Sequence, residues 1–162
     1  AQNVNFSQGL TSASTTGSVT MNFTNCVMGD DISGTLSTGS ITLRSFNMMY
    51  SQNSVWAFET STGSINAVIY QYVDMGVNIT GSLVTSTGSI GVTYIDNQAS
   101  VGASFSGSWG TGSYNRINSG GFNSTTYNPF YSIDYGDGTA TSTYTLSLTT
   151  STGNINVDGT SS

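Results

Sequence analysis

The side chains able to do acid–base or metal chemistry are few. They are Asp30, Asp31, Glu59, Asp74, Asp96, Asp134, Asp137 and Asp158, with one thiol, Cys26, and two guanidinium groups, Arg44 and Arg116. There is no His and no Lys. Without imidazole, no Ser-His-Asp or Cys-His arrangement can form and no imidazole can bind a metal. Without lysine there is no Schiff base and no Walker motif. Glycoside hydrolysis needs only two carboxylates, and Glu59 with one of the aspartates is the formal candidate pair. A lone Glu at a strand end is ordinarily a solvated side chain, so the reading is a protein with no catalytic residues.

The segment Asp134-Tyr135-Gly136-Asp137-Gly138-Thr139 offers oxygen ligands around a sharp turn, as calcium requires, but lacks the distal Glu of an EF-hand loop. Asp-Gly between β-rich runs is a standard hairpin turn, and the turn is the favoured reading. Asp30-Asp31 reads as an exposed loop. Cys26, flanked by Phe23, Val27 and Met28, reads as a buried, inert thiol. Neither a metal nor a cofactor is expected.

These residues are set in an unusual background of 28 Ser, 25 Thr, 15 Asn and 20 Gly, with charge at 6% and a net charge of −6. Soluble proteins typically carry charge at about a quarter of their positions, so hydroxyls and amides, with any attached sugar, keep this surface wet. Apolar residues at 36%, aromatics at 11% and their spread along the chain argue for a folded domain rather than a disordered tract. Two bases cannot bind a phosphate backbone, which argues against nucleic acid. No apolar run approaches the roughly 20 residues of a membrane-spanning helix. The start, Ala1-Gln2-Asn3, has the look of a mature chain after signal removal. An extracellular location follows as the expectation.

The elements that must position these residues announce themselves through a repeat. Thr-Thr-Gly-Ser-Val stands at 15–19, Ser-Thr-Gly-Ser-Ile at 37–41, 61–65 and 86–90, and Ser-Thr-Gly-Asn-Ile at 151–155, with a looser copy at Thr111-Gly112-Ser113-Tyr114. Alternation follows each glycine: Val19, Met21 and Phe23; Ile41 and Leu43; Ile65, Ala67 and Ile69; Ile90, Val92 and Tyr94. A period of two is that of a strand with one buried face. Each Ser-Thr-Gly-Ser therefore reads as a turn, with Gly supplying the positive φ of a tight hairpin, or as a bend within one long strand. The expected fold is all-β, a two-sheet sandwich of jelly-roll or immunoglobulin-like style. A parallel solenoid also fits the repeat, but the 41-residue gap from Gly112 to Gly153 argues against it.

Four Asn-x-Ser/Thr sequons begin at Asn5, Asn22, Asn78 and Asn123. Asn5 lies between Val4 and Phe6, Asn22 between Met21 and Phe23, and Asn78 between Val77 and Ile79, so alternation turns all three outward, where an N-linked glycan can sit. At the N-terminus Val4, Phe6 and Leu10 share one parity, and a polar run at 11–16 follows. The segment is an edge strand of its own sheet or a donor strand that completes a neighbour's. The donor reading is favoured: donor strand 1–10, linker 11–16 and β-sandwich 17–162. Head-to-tail insertion does not close, so it builds an open filament.

The extended N-terminus, the Ser/Thr/Asn/Gly-rich β domain, the scarcity of charge and the sequons resemble those of archaeal thread pilins of the Sulfolobus type. The resemblance covers the whole chain through composition and layout. It implies a pilin fold like that of bacterial chaperone-usher subunits, self-assembly by donor-strand complementation, heavy N-glycosylation and a place in a cell-surface filament for adhesion or biofilm formation. The alternatives are a carbohydrate-binding module that uses Trp56, Trp109, Tyr114, Tyr127 and Tyr131 as stacking platforms, or an adhesin or surface-layer domain.

Overall fold

A strand that buries every second side chain must lay that face on another layer, and here the glycine repeat decides how the layers connect. In the structure, a computed structural model, residues 1–96, 100–118, 122 and 127–161 are described. The chain winds in coils. The first runs through β1 (Asn5–Phe6), β2 (Leu10–Thr16) and β3 (Val19–Thr24); the second through β4 (Val27–Met28), β5 (Ile32–Thr38) and β6 (Ile41–Phe46). The third comprises β7 (Met49–Tyr50), β8 (Ser54–Thr62) and β9 (Ile65–Gln71); the fourth, β10 (Ile79–Thr87) and β11 (Ile90–Asp96). Then come β12 (Val101–Thr111), β13 (Tyr114–Arg116), β14 (Phe130–Tyr131), the one-turn helix α1 (Ile133–Asp137), β15 (Ser142–Thr152) and β16 (Ile155–Ser161).

Corresponding strands of neighbouring coils pair in parallel. They form a seven-stranded sheet, β14-β12-β15-β10-β8-β5-β2, facing a six-stranded sheet, β13-β16-β11-β9-β6-β3, with a short third sheet, β1-β4-β7, at one corner. Only β14 runs antiparallel to its neighbour among these pairs. The all-β, two-sheet architecture expected from alternation is thus present. Its connections are not those of a jelly roll or an immunoglobulin domain, because the strands flanking each glycine pair with the next coil and not with each other.

The glycine bends explain why. The chain passes from one sheet to the other at Gly39, Gly63, Gly88 and Gly153, each at positive φ. Gly88, at φ +143°, shows the constraint: an added Cβ would lie 2.0 Å from the carbonyl oxygen of Gly63 in the coil beside it. Only a residue without Cβ lets the coils stack this closely. The positive φ expected of these glycines is therefore correct, and a bend rather than a hairpin is what they make. Two residues on, the motif's apolar position builds the core ladder: Val19, Ile41, Ile65, Ile90, Ile155 and Tyr114 lie in register across the six-stranded sheet. The four isoleucines are fully buried, each contributing roughly 1.5–3 kcal/mol by removal from water.

The 41-residue gap that argued against a solenoid also has a cause. The last coil, β15–β16, does not follow β12–β13 in space. It inserts between that coil and the fourth, with β15 pairing to β10 on one side and β12 on the other. Sequence spacing reports the order of coils along the chain, whereas stacking is decided by edge pairing, and here the two differ.

Residues 1–10 belong to their own chain's first coil, which corrects the donor-strand and linker assignments. β1 pairs with β4, the Asn3 N–H donates to Thr24 O at 2.9 Å, Phe6 packs edge-on against Phe23 at 6.0 Å, and Leu10 stands opposite Ile32. Residues 11–16 are not a linker but the body of β2. The physical reason is the continuation of the repeat to the N-terminus: Asn3, Asn25 and Asn47 hold the same left-handed corner, at φ 52°, 49° and 49°, and the second coil's edge is satisfied by the first.

Asp134–Thr139 is likewise not a hairpin turn. Ser132 caps α1, its hydroxyl accepting from the Tyr135 N–H, and Gly138 closes it in the left-handed conformation. The Asp137 carboxylate accepts from Thr139 N–H at 3.0 Å and Thr139 Oγ1 at 2.7 Å. Those bonds hold the Asp137 carboxyl below its ordinary pKa.

Candidate binding groove

Outward positions of a half-buried strand are ordinarily polar, and on the outer face of the six-stranded sheet a group of aromatic residues departs from this rule. There, parity and register place Asn22, Arg44 and Val68 in one row and Thr24, Phe46 and Tyr70 in the next. Phe46 and Tyr70 meet at 6.2 Å between ring centroids, Phe46 and Tyr72 at 5.7 Å, and Tyr70 and Tyr72 at 6.4 Å. Phe46 remains 38% exposed, far more than a core phenylalanine. Beside this trio lies an open groove of ≈ 580 Å³, walled by Asn22, Thr24, Arg44, Phe46, Val68 and Tyr70. Phe23 and Ser45 also line it; both are buried and inward by parity, so the floor there is their backbone.

The corner turns position the platform. Asn47, in its left-handed conformation, accepts the Tyr72 N–H on its side-chain oxygen at 2.8 Å. Its own N–H donates to Tyr70 O at 2.8 Å. One asparagine therefore fixes the backbone on both sides of the aromatic pair. Beneath the sheet a buried polar network stiffens the same region. The Trp56 indole N–H donates to Tyr50 Oη at 2.9 Å, Tyr144 Oη donates to Gln71 Oε1 at 3.3 Å, and Gln71 Nε2 donates to Met48 O at 2.9 Å and Val73 O at 2.8 Å. Burial pushes the Tyr50 phenol far above its ordinary pKa, so it stays neutral in the core.

The residues singled out from sequence are scattered rather than gathered. Asn5, Asn22 and Asn78 are exposed, as alternation required; Asn78 Oδ1 also accepts from Thr143 N–H at 3.1 Å and Thr143 Oγ1 at 3.0 Å. Asn123 lies outside the described residues. Val4 is 40% exposed at the open end of the stack, where Phe6 and Leu10 are half-buried. Glu59 stands on the outer face of the other sheet, in register with Thr35 and Val84 and with no carboxylate beside it. Asp30 accepts from Gln52 Nε2 at 3.3 Å and Asp31 from the Val55 N–H at 2.7 Å, which are loop-bracing roles. Among the described residues no three metal-ligating side chains cluster. Cys26 is fully buried.

Of the aromatics proposed as stacking platforms, Trp109 and Tyr127 remain exposed, at 37% and 63%. Tyr127 donates its hydroxyl to Tyr114 O, and the other three are buried or packed on another ring. Trp56 is fully buried and Tyr114 nearly so; Trp109 stacks on Tyr114 at 5.4 Å, and Tyr131 on Tyr135 at 5.1 Å. Alternation of inward apolar residues does not announce this half-exposed trio. The signal was present: Phe46, Val68 and Tyr70 occupy the polar parity of β6 and β9.

No protein-family model and no curated protein matches the chain. The fold is similar to that of a "putative cell adhesion protein" from Clostridium sporogenes, with a TM-score of 0.51 and 18% identity, over 80% of this chain and 55% of that one. At that identity the likeness is one of fold. No helix among the described residues is long and apolar enough to cross a membrane.

Proposed function

We propose that this chain is an extracellular adhesion module that binds saccharide and catalyses nothing. The observation that carries the reading is the half-exposed Phe46–Tyr70–Tyr72 platform beside an open groove on a rigid sheet face. Aromatic rings offer an apolar face to the C–H groups of a sugar ring, and the Asn22 and Thr24 side chains offer hydrogen-bond partners for its hydroxyls. A stiff solenoid displays such a site without loop ordering, which keeps the entropic cost of binding low. The composition agrees: hydroxyl- and amide-rich, poor in charge, and without His or Lys for catalysis. The cell-adhesion description of the fold neighbour supports the same direction. A glycan array probed with the purified chain tests it. Binding that Phe46→Ala and Tyr70→Ala abolish, with unchanged melting temperature, is the expected result; no binding to any saccharide defeats it.

A second reading, a self-assembling filament subunit, is favoured by the open end of the stack. There Val4 is exposed, Phe6, Leu10 and Val19 are half-buried, and β2 and β3 are the terminal strands of their sheets. Such edges pair readily with another chain. The opposite end carries β14 and α1 against β12. Electron microscopy of concentrated protein distinguishes filaments from isolated particles, and particles alone would set this reading aside.

A further inference from the structure

We infer that the groove selects an acidic saccharide, with a pyranose ring laid on Phe46 and Tyr70 and its carboxylate held by Arg44; this rests on the saccharide reading above. The chain has only two basic side chains. Arg116 sits 5.4 Å over the Phe130 ring. Arg44 is exposed and walls the groove. It has no hydrogen bond or ion pair within the protein among the described residues. The carboxylate on its own row, Asp158, lies three strands away, through Val68 and Thr93, or about 14 Å at the usual spacing between strands. A guanidinium is a five-donor fork whose geometry matches a carboxylate, and this one faces open space beside an apolar platform.

The spacing suits one ligand class. Arg44 and Phe46 share a strand face two residues apart, about 7 Å along the strand. That is the span from the centre of a sugar ring stacked on Phe46, through a ring-borne carboxylate, to a bidentate guanidinium. A neutral sugar leaves the guanidinium unused, and a simple anion leaves the platform unused. The net charge of −6 does not oppose this at contact distance, because charges more than about 8–10 Å away are largely screened at physiological salt.

The test uses the full chain produced in bacteria, so that Asn22 carries no glycan. It is titrated by NMR with oligogalacturonate and with sialyllactose, each beside its methyl ester. At least one acid should bind about tenfold or more tightly than its ester, as loss of a charge-assisted bidentate pair implies, and its binding should weaken with salt. Arg44→Gln should bring that acid to the level of its ester, and Phe46→Ala should weaken acid and ester alike. If acids and esters bind equally and Phe46→Ala weakens both, the acidic preference is overturned while the saccharide site stands. If none binds at millimolar concentration, this inference falls, whereas the saccharide reading falls only if no saccharide on the glycan array binds either.

Discussion

Thr85 donates its hydroxyl to the carbonyl oxygen of Gly63, one coil away, at 2.9 Å. Thr60 does the same to Gly39 and Thr150 to Gly88, at 3.1 and 3.0 Å. In each case the threonine stands three residues before its own coil's glycine, so the motif supplies both the bend and the donor that satisfies the neighbouring bend. These threonines are buried. Replacing Thr85 by Val keeps the shape and leaves the Gly63 carbonyl without its donor, a loss of about 1–3 kcal/mol. Thr85→Ser should cost clearly less. Urea denaturation of the two variants checks the difference, and a negligible loss for Thr85→Val beside a larger one for Thr85→Ser would show that the methyl group rather than the hydroxyl matters.

The glycine column makes a graded prediction. Gly88 is flanked by coils on both sides, and its Cβ would strike the Gly63 carbonyl. Gly17 has positive φ too, but nothing lies within 4 Å of its added Cβ. Gly17→Ala should carry only the backbone strain, of order 1–3 kcal/mol. Gly88→Ala adds a collision with backbone that cannot move without shifting a coil, and should leave little folded protein. Comparable melting temperatures for the two variants would contradict the stacking geometry.

Much of this architecture was legible in the alternation. Ile41, Ile65 and Ile90 announce buried strands, and positive-φ glycines announce the bends. What could not be read was which strand each edge meets. A Gly bend followed by an apolar parity looks the same whether the chain folds back on itself or climbs to the next coil. The insertion of β15 between β10 and β12 is invisible because strand partners are chosen in space. The N-terminal segment shows the same limit: Val4, Phe6 and Leu10 require an apolar partner, and sequence alone does not say whether that partner is Phe23 of the same chain or a groove in another. The groove residues were legible in principle, since Phe46 and Tyr70 break the polar parity.

The pH profile should be lopsided. Burial raises the phenol pKa of Tyr50, Tyr94, Tyr114 and Tyr144, whereas in the unfolded chain tyrosine ionises near 10. The folded state therefore holds protons that the unfolded state loses. That stability is fully present below about pH 10 and drains away as pH rises beyond it. On the acid side, hydrogen bonds from the Gly76 N–H and Ser142 lower the Asp74 pKa, and bonds from Thr139 lower that of Asp137. Their stabilisation is present above about pH 4 and lost as pH falls through the lowered values. Both carboxylates are exposed, so the loss is small. Melting curves should be nearly flat from neutral pH to about pH 4 and should collapse above about pH 10. A collapse on the acid side first would contradict this.

The sequons and the groove should interfere. Asn22 is exposed and walls the groove, so a glycan attached there would crowd the platform. Protein from an N-glycosylating host should show mass increments at Asn5, Asn22 and Asn78. It should bind saccharide more weakly than unmodified protein, and Asn22→Gln should restore binding. Equal binding by glycosylated and unmodified protein would show that the Asn22 glycan points away.

The first coil supplies the last test, because its side chains stabilise either their own chain or another. Phe6 is half-buried and meets Phe23 edge-on at 6.0 Å, and Leu10 faces Ile32 across the sheet. Phe6→Ala should therefore lower the stability of the isolated chain by about 1–2 kcal/mol, less than the 3–5 of a fully buried phenylalanine. The loss should be the same in dilute and concentrated protein, since the contact is intramolecular. Hydrogen exchange should show the loosening confined to β1, β2 and β3, with β8, β10 and β15 unaffected at the centre of the sheet. Phe6→Asp should enlarge the loss by placing a charge against Phe23. A dilute chain whose stability is untouched by Phe6→Ala, but whose concentrated form loses assembly, would return the segment to a neighbour's sheet.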